Sequence, residues 1–258
     1  MSRLRAKCPH CRTFTAVALG PDYQCHSCGA EFGAGLVRVP RAWGKGGEAM
    51  AEAAALDLPY PEAGIVAEDL LGDQHLVLAS ELPERPLVMG GCCCSHVGAV
   101  EGLSARHDRL ALIWIDAHGD LNTPETSRSG NEWGMPLRMI VDSGAVQPTD
   151  VALLGVRNLD PSERDFIEES GIHTGKHAAD RALNEIDCVY VAVDFDGLDA
   201  GEIGAFMPEP GGISVDEAEK LLRGVASNAT VVGAGLSGLV PDPRNLPQAT
   251  RLTAALGL

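Results

Sequence analysis

From Leu36 onward the chain alternates short apolar runs with amphipathic stretches. Residues 36–39, 75–79, 87–89, 110–115, 151–156, 188–193 and 230–235 are short and almost continuously apolar. Runs of that length predict strands covered on both faces. Helices are predicted between them. Residues 47–56 are alanine-rich, and Pro161–Ser170 opens on proline with acids in its first turn, as a helix N-terminus favours. Ser214-Val215-Asp216-Glu217 has capping-box spacing and opens a helix running through Leu222. The alternation predicts an α/β fold, a mostly parallel sheet with helices on both sides. Sites in such folds lie beyond the carboxyl ends of the strands.

Residues 1–33 break this pattern. They hold Cys8-Pro-His-Cys11 and, thirteen residues on, Cys25-His-Ser-Cys28. Two such knuckles read as a zinc ribbon, with Cys8, Cys11, Cys25 and Cys28 closing a tetrahedral structural zinc site. So short a piece cannot bury enough core by itself, so one Zn2+ would supply its folding energy. His10 and His26 are expected to be exposed, because four thiolates already satisfy the ion. The alternative is a redox CxxC pair, or a ribbon without metal. The chain thus divides into a ribbon, 1–33, and a larger domain, 34–258.

Composition narrows the partners. The 258 residues are 45% hydrophobic, a globular composition, and only 4% aromatic, so the core is expected to be aliphatic. Against 20 Lys and Arg stand 36 Asp and Glu, a net charge of −16. That balance argues against nucleic acid and against an anionic membrane surface as partners, which leaves a small molecule. The first residues lack the apolar run of a secretory signal, and no run of about 18 apolar residues follows, so a cytoplasmic protein is expected. Its eight cysteines are then read as ligands, nucleophiles or small buried residues rather than disulfides.

The chemistry gathers at two strand ends. Ile113-Trp-Ile runs into Asp116-Ala-His118-Gly-Asp120, and Val191-Ala-Val runs into Asp194-Phe-Asp196. Four carboxylates and an imidazole brought together would repel unless cations lie between them. Two divalent ions about 3.5–4 Å apart resolve the repulsion and activate a water between them.

These motifs resemble those of the arginase/agmatinase (ureohydrolase) superfamily. The likeness extends to Asn122 through Asn131, Gly134-Met-Pro136 and Asp194-Phe-Asp196-Gly-Leu-Asp199, and covers most of residues 35–258. The resemblance implies a three-layer α/β/α fold, two Mn2+ or other divalent ions, and hydrolysis of a guanidino or related C–N bond. It implies Asp116 and Asp194 as bridging ligands, His118 and Asp196 on one metal, and Asp120 on the other, where it also orients the attacking water. It places Asn122, Ser127, Ser129 and Asn131 around the α-carboxylate and α-amino groups of an amino-acid substrate, with Asp160 facing the ammonium and Glu163 nearby. Asp160 is equally readable as a helix N-cap. A homo-oligomer is the family's habit.

Three positions depart from the family. Where it carries Gly-Gly-Asp-His-Ser, this chain reads Gly90-Gly91-Cys92-Cys93-Cys94, so Cys93 falls on the metal-binding histidine. In this it resembles the Nω-hydroxyarginine hydrolase of D-cycloserine biosynthesis. A thiolate can replace the imidazole, and it shifts preference from manganese toward zinc or iron; the alternative is a buried, unligated thiol. In an extended segment Cys92 and Cys94 would point away from the metal as packing residues, and His96 would sit on a helix surface. Trp133 replaces a histidine associated with proton transfer to the leaving group. Gly238 stands where the acid that grips the guanidinium belongs. Both losses favour a less basic substrate such as Nω-hydroxyarginine or another linear amidine, for example a formimidoyl compound, or else a scaffold that binds without catalysis.

Overall fold

The computed structural model describes residues 4–20 and 22–258, so residues 1–3 and 21 of the expected ribbon lie outside the described residues. The ribbon is a three-stranded antiparallel sheet of β1 (Ala16–Leu19), β2 (Asp22–Cys25) and β3 (Glu31–Gly33). The rest alternates as the apolar pattern implies. β4 (Leu36–Val39), α1 (Glu48–Ala53), β5 (Glu62–Ile65), α2 (Leu71–Glu81), β6 (Leu87–Gly90) and α3 (Ser95–Ser104) come first. β7 (Ala111–Ile115), α4 (Pro136–Asp142), β8 (Val151–Leu154), α5 (Pro161–Ser170), β9 (His173–Thr174) and α6 (Ala178–Ala182) follow. β10 (Cys188–Asp194), α7 (Val215–Asn228), β11 (Thr230–Ser237) and α8 (Asn245–Ala255) complete the chain. The second sheet has eight strands in the order β5-β4-β6-β11-β10-β7-β8-β9, and every pairing in it is parallel.

The continuous apolar runs follow from burial on both faces. Along β7, Leu112 and Trp114 enter one core while Ile113 and Ile115 enter the other. Along β10, Tyr190 and Ala192 alternate in the same way with Val191 and Val193. The first core also takes residues of α2, α3 and α4, and the second takes residues of α6, α7 and α8. This is a three-layer α/β/α arrangement.

Four expectations need correction. Residues 75–79 lie within α2, not in a strand: Gln74, Val77 and Leu78 turn inward while Leu76 is exposed. A five-residue apolar run fits a helix as well as a strand, and the length of the element decides between them. The strand predicted over 151–156 stops at Leu154, and α7 continues six residues past Leu222, to Asn228. β5 and β9, short strands at the two edges, carry too little apolar signal to have been predicted. His96 lies on α3 but is fully buried, not on a helix surface.

The ribbon is docked on the larger domain. Leu4, Ala6, Cys8, Ala16, Tyr23 and Cys25 belong to the same buried cluster as Val37, Val39 and Ala63. The Lys7 N–H donates to the Glu62 carbonyl at 3.0 Å, so the ribbon covers edge strand β5. Only two residues separate β3 from β4.

Candidate metal centre and substrate pocket

Because the eight strands are parallel, β6, β11, β10 and β7 deliver their carboxyl ends side by side. Cys93 follows β6, Asp194 and Asp196 close β10, Asp116, His118 and Asp120 follow β7, and Ser237 and Gly238 close β11. Two sets of three donor atoms, each set within 4.8 Å, result: Cys93, Asp116 and Asp120 form one, Asp116, His118 and Asp196 the other. Asp116 belongs to both. Asp194 joins them at one side, its Oδ2 2.9 Å from the Cys93 Sγ.

Each donor is held by its neighbours. Asp116 Oδ2 accepts from the Trp114 indole at 3.1 Å and Oδ1 from the His118 N–H at 2.7 Å. Asp194 Oδ1 accepts from the Asp196 N–H, and Asp196 Oδ1 from the Ala117 N–H. His118 Nδ1 lies 3.0 Å from Asp196 Oδ2, and its Nε2 lies 3.7 Å from Glu209 Oε1. Asp120 sits in the left-handed region at φ 53°, an uncommon conformation for a non-glycine residue. Its Oδ2 is buried and has no hydrogen-bond partner.

The electrostatics call for cations. Burial, reinforced by the Asp196 charge, pushes Asp194 up to about 7, and burial with Asp116 nearby pushes Asp196 up to about 6. Burial raises Asp120 and Cys93 well above their ordinary range, and neighbouring carboxylates add to this. Burial works against a charged His118, but its hydrogen bonds to Asp116 and Asp196 outweigh that and carry it up to about 12. A divalent pair would take the place of those protons. The donor types, two sets sharing one carboxylate, and the orphaned Asp120 oxygen all fit such a pair.

The lining of the cleft combines two kinds of side chain. Asn122, Ser127, Ser129 and Asp160 bring polar groups to it. Trp133, Phe206, Met50 and Met207 bring apolar ones, with Trp133 set edge-on to Phe206 at 5.5 Å. Asn122 donates to Asp160 Oδ2 at 3.1 Å. Glu163 is within the lining, but its two oxygens are taken by the N–H groups of Leu121 and Asp160, so it ties the two loops together. Asn131 lies beside the lining residues Ser129 and Trp133 in sequence, and its Oδ1 accepts from the Lys45 N–H. The cysteine triplet is a turn, not an extended segment. Cys92 and Cys94 both pack with Met50 in a small core, and Cys92, accepting from the Trp43 N–H, also borders the cleft.

Several functional neighbours escaped the sequence reading. The Arg157 guanidinium donates to the carbonyls of Asp196, Gly197, Glu209 and Pro210, fastening the loop after β10. Asn158 holds the Glu209 carboxylate at 2.7 Å. Trp114 was legible in principle: two residues before Asp116 it shares that residue's face of the strand, and a buried indole N–H needs an acceptor.

In the ribbon, the sulfurs of Cys8, Cys11, Cys25 and Cys28 lie within 4.8 Å of one another. Cys8 and Cys28 are 3.6 Å apart and Cys11 and Cys25 3.5 Å, too far for disulfides. A tetrahedral zinc with bonds of about 2.3 Å places its sulfurs about 3.8 Å apart, so the set fits. The Thr15 hydroxyl contributes most to lowering Cys25 to about 5. His10 and His26 are exposed.

Comparison with known proteins agrees with this geometry. The model of a family described as the Arginase family matches residues 72–256. The arginase of Bacillus subtilis (strain 168) is 38% identical over 199 residues, covering 62% of this chain and 67% of that protein. The arginase of Bacillus caldovelox is 35% identical over 189 residues, covering 62% of this chain and 63% of that protein. The chain thus spans about two thirds of the length of these relatives. The crystal structure of Bacillus subtilis arginase superposes with a TM-score of 0.74 at 27% identity, over 86% of this chain and 97% of that one. Proclavaminate amidino hydrolase from Streptomyces clavuligerus, at 22% identity, shares the fold with a TM-score of 0.69, over 87% of this chain and 91% of that one.

Proposed function

The chain belongs to the arginase family, and from that premise we propose that it is a binuclear-metal hydrolase of a guanidino or amidine C–N bond on an arginine-like amino acid. The observation that carries this reading is the pair of donor sets sharing Asp116, with the free Asp120 oxygen between strand ends. A divalent pair in these donors would supply Lewis acidity, lowering the pKa of a water and polarising the C=N unit. Asp120 Oδ2, buried and free, accepts the proton of the attacking water. Asn122, Ser127 and Ser129 offer neutral donors to the substrate α-carboxylate, and Asp160 takes the α-ammonium. Collapse of the tetrahedral adduct breaks the bond to the alkyl nitrogen, which takes the proton held by Asp120 and leaves as the ornithine amine; arginine would give urea as the other product, and Nω-hydroxyarginine would give hydroxyurea.

Trp133 and Gly238 in the lining favour a less basic substrate than arginine. Trp133 has no proton to give a leaving amine, and no acid stands at Gly238. An N-hydroxyguanidine is less basic than a guanidine and can bind neutral, without a counter-charge, which makes Nω-hydroxyarginine the preferred candidate. The ribbon takes one Zn2+, and the thiolate of Cys93 moves the central site's preference toward softer divalent metals than manganese. No helix among the described residues is long and apolar enough to cross a membrane.

The test is elemental analysis followed by assay. Protein reconstituted with Mn2+ and desalted should carry about three ions per chain, one zinc and two others. Ornithine release from Nω-hydroxyarginine, with hydroxyurea as co-product, should exceed ornithine release from arginine, and Asp120→Asn should lower it by about 10²–10⁴-fold. A native protein that holds zinc alone and releases no ornithine from either compound would leave a non-catalytic binding scaffold as the reading.

A further inference from the structure

Behind Cys93, on the side away from the cleft, lies a line of three polar side chains with no exposure to solvent. Ser237 Oγ is 3.1 Å from Cys93 Sγ. His96 Nε2 is 3.1 Å from that same hydroxyl, and His96 Nδ1 is 3.0 Å from the Tyr190 hydroxyl. Tyr190, His96 and Ser237 are each fully buried. They come from three elements, β10, α3 and β11. The space is kept open by Gly235 on β11, where a Cβ would lie 2.5 Å from the His96 ring and 2.6 Å from the Tyr190 oxygen.

The direction of the hydrogen bonds is fixed by what each group can offer. Burial holds His96 neutral, down to about 3, so the ring carries one N–H. Burial also raises Tyr190, which keeps its proton. If His96 donated from Nδ1 to Tyr190, the tyrosine hydrogen would be left unpaired in the core, at about 1–3 kcal/mol. The other tautomer satisfies every group. Tyr190 then donates to Nδ1, the Nε2–H donates to Ser237 Oγ, and the serine hydrogen is free to point onward. Its two acceptors are Cys93 Sγ at 3.1 Å and Asp194 Oδ2 at 3.4 Å.

We infer that Tyr190, His96 and Ser237 form a one-way donor chain that positions Cys93 and stabilises its sulfur as an anionic metal ligand. The inference rests on the reading of Cys93 as a ligand, and it accounts for three buried polar groups that the hydrolytic reaction does not itself use. A thiolate beside Asp116, Asp120 and Asp194 adds negative charge to a crowded site, and a polarised hydroxyl directed at the sulfur offsets part of it. The three are positioning residues: none of them meets the substrate.

The experiment uses the full chain with zinc retained in the ribbon and Co(II) loaded into the central site. Thiolate bound to Co(II) gives a ligand-to-metal charge-transfer band in the near ultraviolet. Subtracting the spectrum of Cys93→Ser removes any contribution from the ribbon cysteines. A hydrogen bond lowers the sulfur donor orbital, so losing it moves the band to longer wavelength. Ser237→Ala should show that shift, His96→Leu a smaller one of the same sign, and Ser237→Thr, which restores a hydroxyl, none. Loss of cobalt from Ser237→Ala with retention in Ser237→Thr also supports the chain. An unmoved band in Ser237→Ala at full cobalt occupancy would overturn it, as would equal loss of cobalt from the Ala and Thr variants. Absence of any Cys93-dependent band in the unsubstituted protein is a different result, which removes the ligand reading itself.

Discussion

Gly238 shows how tightly the site constrains single residues. Its φ is 71°, and a Cβ there would lie 2.0 Å from Asp194 Oδ1 and 2.4 Å from Oδ2. Asp194 cannot step aside without loosening the Asp196 N–H and the Cys93 sulfur that it also meets. A larger side chain at this position is therefore incompatible with this arrangement of Asp194. Gly238→Ala should cost about 1–2 kcal/mol for the left-handed backbone and, in addition, lower the metal content of the central site. Gly144→Ala is the control: its φ is 75° with nothing within 4 Å, so it should lose a comparable amount of stability and no metal. Equal metal contents in the two variants, measured by elemental analysis, would contradict the steric argument. At this scale the sequence was informative wherever chemistry is written in residue type and spacing. The Asp-x-His-x-Asp and Asp-x-Asp motifs sit at adjacent strand ends, as their apolar approaches implied. The roles of Glu163 and Asn131 were not legible, because they depend on which loops lie opposite them in space.

Elements were read well where the hydrophobic signal was long or capped. Pro161–Ser170 forms the helix expected from its proline and acids, and the Ser214 hydroxyl caps α7 by accepting from the Glu217 N–H. The signal failed where it was short, as at α2, whose apolar run has the length of a strand, and at edge strands β5 and β9. The same α2 carries an unused titratable group. His75 points Nε2 into a buried position with no partner, and burial pushes its pKa down to about 4, against a raising contribution from the Cys94 backbone. The unfolded chain takes up this proton near pH 6.5, whereas the folded protein waits until about 4. Between those values the unfolded state binds more protons, so stability falls as pH falls, by at most about 1.4 kcal/mol per pH unit. His96, held to about 3, acts with the same sign. Thermal melts at pH 7 and pH 5 should show a loss of stability on acidification that is smaller in His75→Gln. Parallel losses in both proteins would mean that His75 does not contribute.

On the scale of the whole molecule, the cysteine-bearing N-terminal sheet and the larger domain share a core, so loss of a zinc held by its four cysteines should be felt beyond residue 33. Cys8 and Cys25 are themselves buried in the cluster that contains Val37, Val39 and Ala63. The Lys7–Glu62 backbone bond sits on edge strand β5, whose hydrogen-bonding edge would otherwise be open to another chain. The spacing of the four cysteines made the ribbon legible, but nothing in the sequence said where it docks, because its contacts come from ordinary small and aliphatic residues such as Leu4, Ala6 and Ala16. Cys11→Ser, at the less buried side of the cluster, removes one ligand with little change in packing. The variant should retain less zinc, be cut first within residues 4–33 by limited proteolysis, melt several degrees lower, and aggregate faster as β5 becomes accessible. The central donor sets lie at the carboxyl ends of interior strands, and the two divalent ions proposed for them should be retained in the variant at temperatures below its melt. Zinc loss with an unchanged melting temperature and an uncut N-terminal segment would mean that packing alone holds the ribbon, and that the metal is not what secures this edge of the sheet.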